Sequence, residues 1–248
     1  DSLTRMNQAI ILVLWLLFGS IIGGVAQEST FQPIFDGKTL TGWKAFPEET
    51  SIAWSIQDGL IHGKSNGGPE SYLAFTQTAF SNFELKLEYR FLSEEANSGV
   101  QVRSHLPDER SERLRGYHAD FGHVGIGHKV LGAWDWHGSK RGDTLVNRGY
   151  RATFGVNGER TLTKLEETLE PADVKKKDWN EVHIVAKDDR LYFSINGKLA
   201  SEVIDYDPKE LIRKGYIGFQ LHSGDEMIVQ FRNIKIKRLT GKFSSKPA

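Results

Sequence analysis

The stretch FELKLEYRF, residues 83–91, alternates strictly, with an apolar side chain at each odd position and a charged side chain at each even position. Side chains along a β-strand point in turn to its two faces, so a period of two buries one face and leaves the other in water. The stretch therefore predicts a half-buried strand, one face of which belongs to a core.

Short alternating runs of the same kind occur along the rest of the chain, separated by turn residues. The strongest hairpin signal is Asn196-Gly197 between the runs 191–195 and 198–203, because Asn-Gly suits the tightest hairpin turn. Further predicted strands cover residues 54–61 with a turn at Gly59, 98–104, 179–186, 215–221 and 227–239. Strands at this spacing predict an all-β fold, a two-sheet antiparallel β-sandwich, with few short helices near 171–177 and 208–213.

The composition of the 248 residues is that of an ordinary globular protein, and it excludes several classes of function. Lys and Arg together number 32, as do Asp and Glu, so the formal net charge is zero and no nucleic-acid partner is expected. The chain has no Cys. This excludes disulfides, thiolate metal sites, a cysteine nucleophile and a lipid-modified cysteine anchor.

The N-terminus carries an apolar run at residues 9–18, followed by small residues up to Ala26. This pattern predicts a signal peptide over residues 1–26 and a mature protein that begins at Gln27. Export to the periplasm or the cell exterior follows from it, with no stable membrane insertion after cleavage. An uncleaved anchor is the alternative, although glycines weaken the run as a helix.

The mature chain is predicted to form one domain over residues 27–240, because it shows neither an internal repeat nor a linker. A sandwich of this size can be stable through its core alone. Residues 241–248, rich in Ser and Lys, are predicted to be a frayed tail. Residues 1–5 precede Met6, which resembles a natural start, and are interpreted as an artefact.

Three predicted strands carry two polar residues at alternate positions, with apolar residues on the opposite face. The pairs are Gln101 and Arg103, His118 and Asp120, and Gln220 and His222. One such pair is usually the solvated side of a strand. Together the pairs include an Arg, an Asp and two His. They contain none of the Lys and Glu residues that usually cover a solvent-exposed surface without a function. They predict a functional sheet face.

A segment rich in Gly and aromatic residues follows Asp120, with GHVGIGH at 122–128 and LGAWDWH at 131–137. A long Gly-rich loop in a compact domain is usually functional. Its glycine spacing does not match a phosphate-binding loop, and no strand–helix unit surrounds it. Four histidines, at 118, 123, 128 and 137, are potential ligands of a zinc site. Their spacing matches no zinc-ligand motif, so no metal site is predicted.

Short motifs follow one another from Phe31 to Leu239. They include FDGKTLTGW at 35–43, NSGVQVR at 97–103, GYHAD at 116–120, GFQLH at 218–222 and FRNI at 231–234. In this order they resemble the 3-keto-disaccharide hydrolase family over almost the whole mature chain. The chain departs from the family pattern at His118, where Gln or Glu is usual, and at Trp136, where an acid is usual.

The resemblance implies both a fold and an activity. The family fold resembles the concanavalin A-like jelly roll, in which carbohydrate lies across the concave sheet. The family's named activity is cleavage of glycosides whose glucose has been oxidised at C3. A 3-keto group acidifies the C2 proton, so a base can remove it, the enolate can expel the C1 substituent, and water can add to the product.

Roles for individual residues follow from this implied chemistry. His222 is the expected base, Asp120 would orient it or donate a proton, and Arg103 or Arg141 would stabilise the enolate. The remaining substrate-binding residues are expected to be Gln101, His118, Asp135 and Gln220, with Trp134 and Trp136 stacked on the sugar ring. No cofactor is expected, and the expected partner is an oligosaccharide or glycoside substrate.

A non-catalytic carbohydrate-binding module of the lectin type is the alternative. The same fold and aromatic residues would serve it, and Ca²⁺ could organise its loops through Asp side chains. Such a module does not need the combination of His, Asp and Arg, so the sequence favours the enzyme. A third interpretation, an adhesion or scaffold domain, predicts no response to sugar.

Overall fold

The computed structural model describes residues 30–109, 111–122, 130–138 and 140–240. The predicted signal peptide, the tail at 241–248 and the Gly-rich run from His123 to His128 lie outside these residues, so the interpretations placed on them stay predictions. Within the described residues, no helix is long and apolar enough to cross a membrane.

The described residues form seventeen strands and two short 3-10 helices, Glu48–Ala53 and Pro171–Asp173. The strands are β1 (Gln32–Pro33), β2 (Trp43–Phe46), β3 (Trp54–Gln57), β4 (Leu60–Asn66), β5 (Ser71–Phe80), β6 (Phe83–Phe91), β7 (Gly99–His105), β8 (Arg115–Asp120), β9 (Trp134–His137), β10 (Thr144–Val146), β11 (Tyr150–Phe154), β12 (Arg160–Lys164), β13 (Asn180–Lys187), β14 (Arg190–Ile195), β15 (Lys198–Asp205), β16 (Gly215–Leu221) and β17 (Glu226–Arg238). The short helix predicted near 171–177 is confirmed over its first three residues, whereas residues 208–210 form only a turn.

Two sheets pack face to face as a sandwich. In the described residues the larger sheet has ten strands in the order β12-β11-β15-β14-β13-β6-β17-β4-β3, with β1 beside β17. The smaller sheet has seven, in the order β10-β9-β8-β7-β16-β5-β2. Among these strands one neighbouring pair, β11 and β15, is parallel, and the others are antiparallel. The predicted two-sheet β-sandwich is therefore confirmed, and the parallel pair is the exception to its antiparallel pattern.

Strand β6 lies inside the larger sheet, between β13 and β17, and its alternation determines which face is buried. Its odd-numbered residues from Phe83 to Tyr89 are at most 1% exposed, whereas its charged residues are partly exposed. Between the sheets, Phe231 of β17 stacks on Phe219 of β16 with ring centroids 4.1 Å apart. Burying one such side chain stabilises a fold by roughly 1.5–3 kcal/mol, so this apolar layer is a main source of stability.

The smaller sheet has two different faces. Its inner face packs into the core through residues such as Val100, Tyr117 and Phe219, all 0% exposed. Its outer face, called the polar face below, is defined by Gln101, His118, Asp120, Asp135, His137 and Gln220, which lie on the neighbouring strands β7, β8, β9 and β16. The register and alternation of four adjacent strands therefore position the candidate site.

Arg103 does not belong to the polar face, which corrects the prediction made from alternation. A bulge interrupts the pairing of β7 with β8 within residues 102–105, and Arg103 has a positive φ of 48°. Its guanidinium is buried and donates to the carbonyl oxygens of Ser81 and Asp188, at 2.8 and 2.7 Å, and to Oδ1 of Asn82 at 3.0 Å. These bonds join the connection between β5 and β6, which links the two sheets, to the β13–β14 hairpin turn of the larger sheet, so the role of Arg103 is structural.

Candidate functional site

The register of the smaller sheet determines which polar side chains meet. Gln101 of β7 lies opposite His118 of β8, which lies opposite Asp135 of β9. Asp120 lies opposite Gly99, and the ring of His118 occupies the space beside this glycine, which has no side chain of its own. A histidine and two carboxyl groups are thus brought together on two adjacent strands.

Asp120 and Asp135 form a pair of buried carboxyl groups. Asp120 is 4% exposed, and its Oδ1 accepts a hydrogen bond from the backbone N–H of Gly122 at 2.7 Å. Burial, reinforced by the negative charge of Asp135, raises the pKa of Asp120 well above its usual value. Burial also raises the pKa of Asp135 to about 6. Repulsion and burial both oppose joint ionisation of the two groups, so they favour uptake of a proton or a cation by the pair.

His118 lies beside this pair and is 1% exposed. Its ring stacks on that of His137, with centroids 4.5 Å apart. Burial, helped by His137 and His222, lowers the pKa of His118 well below its usual value, and the carboxamide of Gln220 opposes this shift. No described residue meets hydrogen-bond geometry with either ring nitrogen. His118 is therefore a neutral imidazole whose lone pair is available to a ligand.

His137 belongs to the polar face, although no role there was predicted for it. Its Nδ1 lies 2.8 Å from Nε2 of Gln101 and 2.9 Å from the Tyr72 hydroxyl. The hydroxyl of Ser104 donates to Oε1 of Gln101 at 2.7 Å, which turns the amide nitrogen toward His137. Nδ1 of His137 is therefore an acceptor, and the ring proton lies on Nε2. Its position two residues after Asp135 was the signal that could have identified it.

A chain of polar contacts leads from the polar face to the surface. Nε2 of Gln220 donates to Oε1 of Glu70 at 2.6 Å, and Oε2 of Glu70 lies 2.6 Å from Nε of Arg113. The side chain of Arg113 is 57% exposed, so it offers a charged donor at the rim of the site. Glu70 and Arg113 lie outside the strands, so alternation along strands gave no signal for either residue.

His222 lies at the rim of the polar face, directly after β16. Its Nδ1 is 3.0 Å from Oδ2 of Asp225, and the two side chains are 39% and 34% exposed. The angle is not that of an aligned hydrogen bond, and such pairs often align only when substrate binds. The prediction that Asp120 orients His222 is corrected, because Asp225 holds that position. With Nδ1 turned to Asp225, Nε2 is the atom that can take a proton from a bound molecule.

Trp134 and Trp136 belong to the core, which corrects the prediction that they stack on a sugar ring. They are 0% and 3% exposed. Trp134 packs edge-on against Phe193 of the larger sheet with centroids 5.8 Å apart, and Trp136 packs against Tyr117 at 4.3 Å. The reason is the alternation along β9, which directs Asp135 to the polar face and both tryptophans to the opposite face.

Arg141 is held in a buried network away from the polar face, which corrects its predicted contact with substrate. Its Nη1 donates to Oδ2 of Asp205 at 2.8 Å, and its Nη2 lies 2.9 Å from Oδ2 of Asp207. The same Asp205 oxygen accepts a hydrogen bond from the Tyr117 hydroxyl at 2.7 Å. Since Tyr117 faces the core, this network joins the smaller sheet to the end of β15.

Gly99 controls the position of His118. A Cβ atom at residue 99 would clash with the ring of His118 and lie 2.6 Å from the carbonyl oxygen of Ala119. We expect Gly99→Ala to lower the free energy of unfolding by about 1–3 kcal/mol, the usual cost of overpacking, as measured by urea unfolding.

The matched control for this prediction is Gly68→Ala, because no described atom lies within 4 Å of a Cβ at residue 68. This variant should change the free energy of unfolding by less than about 0.5 kcal/mol. Equal stability of the two variants would contradict the close packing of His118 against Gly99.

Similarity to known proteins was found at the level of family and fold. Residues 30–237 match the family model of the 3-keto-alpha-glucoside-1,2-lyase-like domain. A solved candidate glycosyl hydrolase from Parabacteroides distasonis ATCC 8503 is 20% identical, with a TM-score of 0.57 over 85% of this chain and 94% of that chain. A second from the same organism is 22% identical, with a TM-score of 0.55 over 85% and 100% of the two chains. No curated protein matches the chain.

The two solved structures show the fold, and the family match includes the whole polar face together with His222 and Asp225. The predicted jelly-roll sandwich and the resemblance to the 3-keto-disaccharide hydrolases are thereby confirmed. The chain belongs to the family of 3-keto-alpha-glucoside-1,2-lyase-like domains.

Proposed function

We propose that the protein is an exported carbohydrate-active enzyme that cleaves the glycosidic bond of 3-keto glycosides after removing the C2 proton. The observation that carries the proposal is the arrangement at the polar face, where a partly exposed histidine paired with a carboxylate, His222 with Asp225, lies near His118 and so at the edge of the group that includes the buried carboxyl pair. Family membership supports the choice of substrate, because the family model is named for a 3-keto-glucoside lyase.

In the proposed reaction, Nε2 of His222 takes the C2 proton, and the electron pair of the C2–H bond moves to the C3 carbonyl to form an enolate. The enolate expels the C1 oxygen substituent, which takes up a proton and leaves as an alcohol. Water then adds across the C1–C2 double bond, so one water is consumed for each glycosidic bond broken. Asp225 supports the first step because its carboxylate stabilises the imidazolium that forms.

The enolate oxygen requires a positive charge or hydrogen-bond donors that face it. Arg103 and Arg141, the residues predicted for this task, are both engaged in buried networks elsewhere. The pair of Asp120 and Asp135 supports the proposal instead, because burial and mutual repulsion favour uptake of a proton or a cation by the two carboxyl groups. A proton or cation held there would attract the oxygen on which negative charge develops.

Substrate binding is assigned to polar groups around this pair. Nε2 of His137 carries a proton to donate, and Arg113 offers a charged donor at the rim. Oε1 of Gln220 accepts no hydrogen bond from a described residue. Sugar hydroxyls both donate and accept, so they suit a set that contains donors and an acceptor. His118 is too deeply buried to be a direct contact for a hydroxyl group.

The proposal is tested by incubating the protein in D₂O with a 3-keto glucoside that carries a chromogenic aglycone. We expect release of the aglycone and a 3-keto sugar with deuterium at C2, because the removed proton exchanges and hydration returns a deuteron from solvent. The unoxidised glucoside is the substrate control and should stay intact. The free 3-keto sugar in D₂O without protein measures spontaneous exchange.

Three other results of this experiment would contradict the proposed reaction, each for a different reason. Binding of the 3-keto glucoside without cleavage would indicate a carbohydrate-binding module. Cleavage with hydrogen retained at C2 would indicate direct hydrolysis at C1. Equal cleavage of the oxidised and unoxidised glucosides would show that the 3-keto group is not needed.

A further inference from the structure

Three potential metal ligands converge on the polar face. One ring nitrogen of His118, one carboxylate oxygen of Asp120 and one of Asp135 all lie within 4.8 Å of one another. They come from the adjacent strands β8 and β9, so the register of the sheet brings them together and no sequence motif is required. Ligands about 2.1 Å from one ion are roughly 3.4 Å apart in a tetrahedral site, so small side-chain rotations would complete it.

A second, independent observation is that these groups are buried without their usual partners. No described residue hydrogen-bonds either ring nitrogen of His118 or Oδ1 of Asp135. The side-chain oxygen of Asn97, a residue 5% exposed, also has no hydrogen-bond partner among the described residues. Folded proteins leave few buried polar atoms unpaired. Their concentration at one place points to a ligand that supplies the missing contacts.

Asn97 and Asp120 border the same small space. Oδ1 of Asn97 and Oδ1 of Asp120 lie 2.6 and 3.1 Å from the position that a Cβ on Gly122 would occupy. The backbone N–H of Gly122 holds Oδ1 of Asp120 in place at 2.7 Å, as the outer hydrogen bonds of metal ligands commonly do. A cation would also remove the repulsion between the two carboxylates.

We propose that His118, Asp120 and Asp135 bind one divalent transition-metal ion, Zn²⁺ or Mn²⁺. One imidazole and two carboxylates form a mixed nitrogen and oxygen set, which suits these ions better than Ca²⁺, which takes oxygen ligands only. Three protein ligands leave a coordination position open, as in catalytic sites and unlike closed structural ones. This proposal replaces the expectation, based on histidine spacing, that the chain has no metal site.

The inference goes beyond the proposed function, because ion binding is measured without any substrate. The test is isothermal titration calorimetry of the metal-free protein with Zn²⁺ and with Mn²⁺, and with Ca²⁺ for comparison. We expect one Zn²⁺ or Mn²⁺ per chain and weaker binding of Ca²⁺. His118→Ala and Asp135→Asn should each weaken Zn²⁺ and Mn²⁺ binding by at least about 10-fold, because each removes one of three ligands.

The matched control is His183→Ala, which removes a histidine of the larger sheet whose Nε2 lies 3.0 Å from Oε2 of Glu84. It should bind the ions as the unmodified protein does. Asp135→Asn keeps the shape of the side chain, so it serves if His118→Ala fails to fold. In thermal unfolding, Zn²⁺ should raise the Tm of the unmodified protein and of His183→Ala, and much less that of Asp135→Asn.

Absence of binding, or equal affinity in the unmodified protein and Asp135→Asn, would overturn the inference. Its failure can be distinguished from failure of the proposed function. A protein that binds the ion but leaves 3-keto glucosides intact contradicts the proposed function alone. A protein that cleaves them equally well with and without a chelator, and binds no ion, contradicts the metal site alone.

Discussion

Replacing His222 with Ala is expected to lower kcat for cleavage of a 3-keto glucoside by about 10²–10⁴-fold, the usual contribution of a positioned general base. His222 is 39% exposed on its side chain and can reach a bound sugar, whereas His118 is 1% exposed and cannot. The base acts mainly in the transition state, so KM should change little. Steady-state kinetics with the chromogenic 3-keto glucoside measure both constants.

His183→Ala is again the matched control. Like His222, His183 is partly exposed, at 29%, and its Nε2 lies 3.0 Å from a carboxylate oxygen, Oε2 of Glu84, but it lies on the larger sheet. It should retain the kcat of the unmodified protein. Asp225→Asn should lower kcat by less than His222→Ala does, since it weakens the orientation of the ring and leaves the base in place. Full turnover by His222→Ala would remove His222 from the mechanism.

The alternation of side chains allowed much of the polar face to be predicted from the sequence. Gln101, His118, Asp120 and Gln220 share one face because, in a regular strand, the backbone alone determines side-chain direction. The same argument failed at Arg103, where a bulge and a positive φ interrupt the alternation. A bulge depends on pairing with neighbouring strands, so a period-two pattern does not reveal it.

Tertiary contacts account for the other residues whose predicted positions differ from those in the structure. Trp134 and Trp136 were assigned to sugar binding as aromatic residues in a Gly-rich segment, yet their strand directs them inward. Glu70, Arg113 and Asp225 lie in loops, where no periodicity shows which face a side chain joins. The proposed metal ligands come from two strands, so their convergence depends on the register of β8 and β9.

The second large effect is expected at Asp205, where Asp205→Ala should lower the free energy of unfolding by about 3–5 kcal/mol, the usual cost of removing one partner of a buried ion pair. Asp205 is 0% exposed, and its carboxylate accepts hydrogen bonds from Arg141 and from the Tyr117 hydroxyl. Since whole domains are stable by only about 5–15 kcal/mol, this loss should be evident in urea unfolding.

The surface pair of Lys44 and Glu48 provides the control, because its atoms are 3.2 Å apart but its side chains are 51% and 81% exposed. Glu48→Ala should cost at most about 1 kcal/mol, as for other exposed ion pairs. The comparison also decides between two roles for Arg141. If Arg141 contacts substrate, Asp205→Ala should change KM and leave stability near that of Glu48→Ala. If Arg141 joins the sheets, as its contacts indicate, Asp205→Ala should lose stability while the folded fraction keeps its KM.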